Sequence, residues 1–204
     1  MSPLTCHGAR ATVIDMTPYP VAYRQTPAIK RSRLTVFFRF IMVIPHLIWS
    51  FFYGIAAQVV VFIAWFAIVV TGRYPKSMYD FVAGYVRFYT RLLGYIELVT
   101  DEYPPFDGGE HPEYPVAVTI PPPQESYSRL STAFRIILLI PVWILQYVFL
   151  LWIYAVSLAI WLVAVITGRT SAGLVDAERL PLSYLVRSYA YTFLLTDKWP
   201  PLDD

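Results

Sequence analysis

The chain has 204 residues, of which 57% are hydrophobic and only 15% charged, with a mean hydropathy of +0.51. Soluble domains carry about 25% charged residues, so this balance excludes an ordinary water-soluble domain and predicts a membrane protein. Sixteen Lys and Arg against 14 Asp and Glu exclude a strongly basic nucleic-acid binder, and a single cysteine, Cys6, excludes an intrachain disulfide or a cysteine-based metal cluster.

A tandem repeat governs the rest. Shifted by 96 residues, positions 33–106 lie on 129–202 without a gap, and 22 of these 74 positions are identical. Tyr19-Pro20-Val21-Ala22 recurs as Tyr114-Pro115-Val116-Ala117, one residue out of that register. The chain divides into an N-terminal tail (1–18), a first repeat (19–106), a linker (107–113) and a second repeat (114–204). The fold expected is mainly α and integral to a membrane, in two repeats of the same make-up.

Each repeat opens on a proline-flanked extended segment, Tyr19–Pro27 or Tyr114–Pro123, where the alternation of Val116, Val118 and Ile120 favours a strand. A basic lead-in follows, Ile29–Arg33 and Gln124–Arg129. Then come apolar runs of 35 residues, Val36–Val70 and Thr132–Ile166, each with a single charge, Arg39 or Arg135. About 20 residues span a bilayer core, so 35 is too long for one simple crossing and barely enough for two. Three readings stand: an interfacial helix broken at Pro45 followed by one crossing, a re-entrant hairpin, or one crossing per run with a second by the next helix. Both flanks of both runs are basic, which favours an even number of passes per repeat. Tyr147–Tyr154 holds no turn residue, which speaks against a hairpin there.

Gly72 and Gly168, within Thr-Gly-Arg, are the expected left-handed helix caps. An amphipathic helix follows in each copy, near Tyr79–Val99 and Val175–Leu195. Its polar stripe comprises Asp80, Arg87 and Arg91, then Asp176 and Arg187, and favours a helix lying in the interface. Asp80 with Arg91, and Asp176 with Arg187, are candidate ion pairs. Arg39, Arg73, Arg135 and Arg169 are candidate contacts to lipid headgroups, with snorkelling and helix capping as the plainer roles. His46 has no copy at Val142 and reads as an interfacial histidine. The many Tyr and Trp near the run ends read as membrane anchors.

Glycine-rich phosphate loops, nucleophile elbows and His-Glu-x-x-His are missing, so neither enzyme chemistry, cofactor nor metal is expected. The partners expected are membrane lipids and further copies or subunits of a membrane complex, with no nucleic acid.

Arg33-Leu-Thr-Val-Phe-Phe-Arg39, Ile44-Pro45-His46, Ala64-Trp65-Phe66-Ala67, Thr71-Gly72-Arg73-Tyr74-Pro75 and Thr100-Asp101-Glu102-Tyr103-Pro104-Pro105-Phe106 together resemble the bacterial membrane family called domain of unknown function 4389. Two copies cover nearly the whole chain. The second lacks the Tyr-Pro after Thr-Gly-Arg and the histidine after proline. The resemblance implies an integral protein of a bacterial inner membrane, multi-pass or re-entrant, and implies no activity. A non-enzymatic scaffold or membrane-shaping protein, its repeats paired about a pseudo-twofold axis, is the function expected. The rivals are a small transporter or channel lined by Arg87, Arg91 and Arg187, and a lipid-binding protein.

Overall fold

A computed structural model describes residues 19–26 and 32–202. The tail 1–18 with Cys6, and Lys30 and Arg31 of the first lead-in, lie outside the described residues.

The extended segments form strands, β1 (Ala22–Gln25) and β2 (Val116–Thr119), and the two pair with each other. The register sets Tyr23 against Val118, Ala22 against Thr119 and Arg24 against Ala117. Val118 is the repeat copy of Tyr23, Thr119 that of Arg24 and Ala117 that of Ala22. One pair therefore maps onto itself and the other two exchange, so a pseudo-twofold axis passes between Tyr23 and Val118. Two antiparallel neighbours in a sheet are exchanged only by an axis perpendicular to it, and such an axis leaves each face of the sheet on its own side.

Ser32 starts the first helix by accepting the Thr35 N–H. Helix α1 (Arg33–Met42) passes through Val43, which keeps right-handed helical angles, into α2 (Ile44–Thr71). The expected break at Pro45 is thus a near-continuous joint, because proline in a first turn removes an N–H that has no helical partner anyway. In the second repeat the joint falls earlier. A short α4 (Arg129–Ala133) is capped by Ser128, and α5 (Arg135–Thr167) runs unbroken through Pro141. No turn interrupts 147–154, so neither run is a hairpin.

Gly72 and Gly168 close α2 and α5 at φ 76° and 71°, as expected, and the hydroxyls of Thr71 and Thr167 donate back to Ala67 and Val163. Helix α3 (Lys76–Ile96) returns along α2. Its counterpart is split into α6 (Ala172–Asp176) and α7 (Arg179–Thr192), with Pro181 in the first turn of α7. Leu98 and Leu194 follow at φ 62° and 61°, a left-handed position that leucine rarely takes. Val99 and Leu195 then donate to the carbonyls of Gly94 and Ala190, which tightens both helix ends alike.

Three layers result. The sheet packs on α3 and α7, β2 on the first and β1 on the second; these pack on α2 and α5 respectively, and on each other. The long helices also cross between repeats: α2 meets α4, and α1 meets α5. The Trp65 indole donates to the Thr132 carbonyl (2.8 Å), and Tyr127 N–H to Gly72 O (2.9 Å), so the end of α2 lies at the start of the second run. The two rods are antiparallel. Thr132 is the copy of Val36, which places the axis level with the midpoint between 36 and 65, near Ser50 and Phe51.

Candidate functional site

Charge near the start of each rod is drawn inward. Arg39 is 4% exposed and Arg135 2%. Each guanidinium meets an aspartate, Asp101 at 2.5 Å and Asp197 at 2.6 Å, and lies over a tyrosine ring, Tyr95 at 4.3 Å and Tyr191 at 4.0 Å. The far oxygen of each aspartate accepts a backbone N–H, from Ser32 (3.2 Å) and Ser128 (2.7 Å), the caps of α1 and α4. Arg39 also donates to the carbonyls of Tyr95 and Thr100. The headgroup role of Arg39 and Arg135 is therefore corrected, and so is snorkelling. A buried guanidinium must be paired and hydrogen-bonded, and the Thr-Asp after each second helix supplies the pair. Arg73 and Arg169 do reach the surface, just past the Gly caps at opposite ends of the antiparallel pair, and Arg129 reaches Gly72 at the Arg73 end.

The α3 stripe is occupied by protein. Asp80 pairs with Lys76 (2.5 Å), Arg87 with Glu110 (2.9 Å), and Arg91 with Asp107 (3.7 Å) and the carbonyls of Asp107 and Gly109. Asp80 and Arg91 are separated by three turns, about 16 Å along the axis, and do not pair. Gly84 opens the stripe to backbone: a Cβ on Gly108 would stand 2.7 Å from Gly84 Cα. In the second copy Asp176 is exposed at the end of α6, whereas Arg187 is buried beside Tyr19, whose hydroxyl donates to the Arg187 carbonyl (3.3 Å). The interfacial placement of these helices is corrected accordingly. Most of α3 beyond Tyr79, from Val82 to Tyr95, is buried against α2, α7, β2 and the linker, leaving no apolar face for lipid. His46 is likewise an interior residue, fully buried, held by the Pro104 carbonyl (2.8 Å) and stacked on Phe106 at 3.8 Å.

Composition did not point to Glu97, Glu178 and Ser157. The Ser157 Oγ stands 2.6 Å from Glu97 Oε2 and 2.6 Å from Glu178 Oε1, with both glutamates buried. One hydroxyl hydrogen cannot serve two carboxylates, so the arrangement closes when one carboxyl keeps its proton and donates to Oγ. Burial pushes the Glu97 carboxyl up, opposed only in part by the Ser157 hydrogen bond. A raised folded-state pKa contributes stability in full below the ordinary carboxylate range, near 4.3, and loses it as pH rises through the raised value. Glu97→Gln is accordingly expected to melt higher than the parent at pH 8 and level with it near pH 4. Equal differences at both pH values would show that folding leaves the Glu97 carboxyl unshifted. Neither glutamate lies in a repeated motif, so only the meeting of α5 with the end of α3 and the start of α7 reveals the cluster.

The outer faces of the rods remain. Their buried stripe is narrow: Val43, His46, Ala57, Ala64 and Ile68 on the first, and Leu139, Val142, Ile153, Ile160 and Ala164, each the copy of the former, on the second. Ile41, Ile48, Ile55 and Phe62 stand outward in one heptad row, and their copies Ile137, Ile144, Leu151 and Leu158 do the same, every one of them at least half exposed. Two helical stretches, 33–71 and 135–167, are long and apolar enough to cross a membrane, and only 17% of the most apolar window of each is buried. Along the first rod, Leu47, Phe51, Ile55 and Val59 line an open groove of about 600 Å³ over a floor of Tyr85, Tyr89 and Phe193.

The family described as domain of unknown function (DUF4389) matches this chain twice, over residues 33–107 and 129–202. No curated protein and no solved structure matches it.

Proposed function

We propose, from the premise that this chain belongs to the DUF4389 family as a tandem duplication, that it is a membrane-seated structural protein, a scaffold or shaper of bilayers without chemistry of its own. The observation that carries this reading is the outer face of the two rods. Large apolar residues from Leu34 to Val70 and from Ile136 to Ile166 stand exposed. A soluble monomer rarely shows a contiguous apolar patch beyond about 600 Å², whereas lipid covers such a surface at no cost. The basic groups that reach the surface at the rod ends, Arg73, Arg129 and Arg169, suit anionic headgroups.

Expressed in bacterial cells, the full chain is expected in the inner-membrane fraction and to stay there through a carbonate wash. Added to vesicles of phosphatidylethanolamine and phosphatidylglycerol, the purified chain is expected to float with them and change their diameter. Recovery as a monodisperse soluble protein without detergent would overturn the reading. A second reading, binding of a single lipid chain, is favoured by the groove along the first rod; lipid that stays bound through purification and is lost on Phe51→Ala would support it. The transport reading draws less support, because the terminal nitrogens of Arg87 and Arg91 are already engaged by the linker.

A further inference from the structure

From the twofold axis and the position of the charged linker we infer that the rods lie flat within one leaflet, parallel to the bilayer plane, with the sheet held on the aqueous side. This rests on the membrane seating proposed above and fixes its geometry. The axis is perpendicular to the sheet and the rods are antiparallel across it, so they run perpendicular to the axis. Both sit at one depth on the side of α3 and α7 away from the sheet. A bilayer normal along the axis then meets both apolar faces at once.

The upright alternative fails on three counts. First, it lays the axis in the bilayer plane, so symmetry centres the membrane near Ser50 and Phe51. At that level the linker crosses the rod: the Trp49 indole donates to Phe106 O, and Gly108 packs on Gly84 beside the Tyr53 hydroxyl. Asp107 and Glu110, both largely exposed, would face hydrocarbon, at about 2.5–3.5 kcal/mol for a single central charge on insertion scales. On the second rod the Trp152 indole, about 8 Å along the helix axis from that level and so still well inside a core of about 30 Å, donates to Ala177 O beside exposed Asp176. Secondly, upright rods set a two-stranded sheet with two open edges within the span, where unpaired backbone groups are not tolerated.

Thirdly, length disagrees. At about 1.5 Å per residue the 39-residue rod is about 58 Å long, nearly twice a hydrocarbon core of about 30 Å. A helix lying in the interface plane meets no such limit. The rod-flank tryptophans Trp49 and Trp152 hold their indole N–H on carbonyls of the polar layer while their rings stay half exposed. They line the long side of the rod rather than its two ends, as an in-plane helix requires.

Depth measurement tests this. In a Cys6→Ser background, nitroxides are placed singly at 41, 48, 55 and 62 and at their copies 137, 144, 151 and 158, with one at Glu110, in vesicles of phosphatidylethanolamine and phosphatidylglycerol. Each chosen side chain is exposed, so labelling leaves the packing intact, and near-identical melting in detergent checks that it does. Accessibility to oxygen and to a nickel chelate reads the depth. Equal depths, within about one helix turn and shallower than mid-bilayer, with Glu110 in water, are the expected result. A monotonic gradient spanning about 30 Å along 41–62, reversed along 137–158, would overturn the flat geometry while leaving the membrane reading intact. Water-level accessibility at all eight positions would overturn both.

Discussion

Replacing Asp101 with alanine is expected to lower the unfolding free energy by about 3–5 kcal/mol, the cost of stranding one partner of a buried ion pair. Arg39 is 4% exposed and cannot turn to water without giving up its hydrogen bonds to the carbonyls of Tyr95 and Thr100. The change also removes the acceptor of the Ser32 N–H, so the helix start frays at once. Asp197→Ala is expected to behave alike, because Arg135, Ser128 and Tyr191 repeat the arrangement. The double variant Arg39→Met with Asp101→Asn removes both charges, keeps an acceptor for Ser32 and lets methionine fill the space over Tyr95. It is expected to recover most of the loss. Thermal and denaturant unfolding in detergent micelles decide the matter. If Asp101→Ala costs less than 1 kcal/mol, the pair is solvated and the buried clasp is not what holds α1 down.

Gly94→Ala is the second large effect, with an expected loss of about 1–3 kcal/mol from overpacking. A Cβ there would stand 2.6 Å from Val116 Cγ2 and 2.9 Å from Cγ1. Alanine gains up to about 1 kcal/mol of helix propensity over glycine, so the sign depends on whether Val116 can give way. It has little room: valine is stiff at χ1, fully buried, and held in the strand ladder opposite Gln25. Val116→Ala added to Gly94→Ala is expected to restore stability beyond additivity. A coupling near zero would show that the strand shifts freely on α3. The equivalent residue in the second repeat, Ala190, is already fully buried, so the two halves have solved the same contact with different pairs of residues.

Much of this architecture is legible in the sequence because it is local. The 96-residue offset, the strand-like alternation after Tyr114, the length of the rods and the glycine caps all follow from short-range pattern. What escaped is where the polar side chains go. Arg39 in an apolar run reads as a snorkelling residue, since its partner Asp101 lies 62 residues away. Only the doubled spacing, Arg39 to Asp101 and Arg135 to Asp197, hints at the pair. The stripe of α3 reads as a face for water and headgroups, but the linker covers it, and a Gly-Gly linker gives no sign of docking on a helix. Leu98 and Leu194 at positive φ are invisible for a plainer reason. Leucine disfavours that conformation, and the surrounding packing imposes it. The split of α6 from α7 went unforeseen because the first copy, lacking Pro181, runs straight.

The strand pairing has a consequence for assembly. Each half lends the other its opening strand, so a lone repeat would keep a single strand with no neighbour and an uncovered flank on its second helix, an arrangement with marginal stability at best. One covalent chain holds the two complementary halves at an effective concentration in the millimolar range. Folding then proceeds without a bimolecular encounter and is indifferent to how dilute the protein is in its compartment. What two separate subunits would have to achieve by mass action, duplication within one polypeptide makes intramolecular.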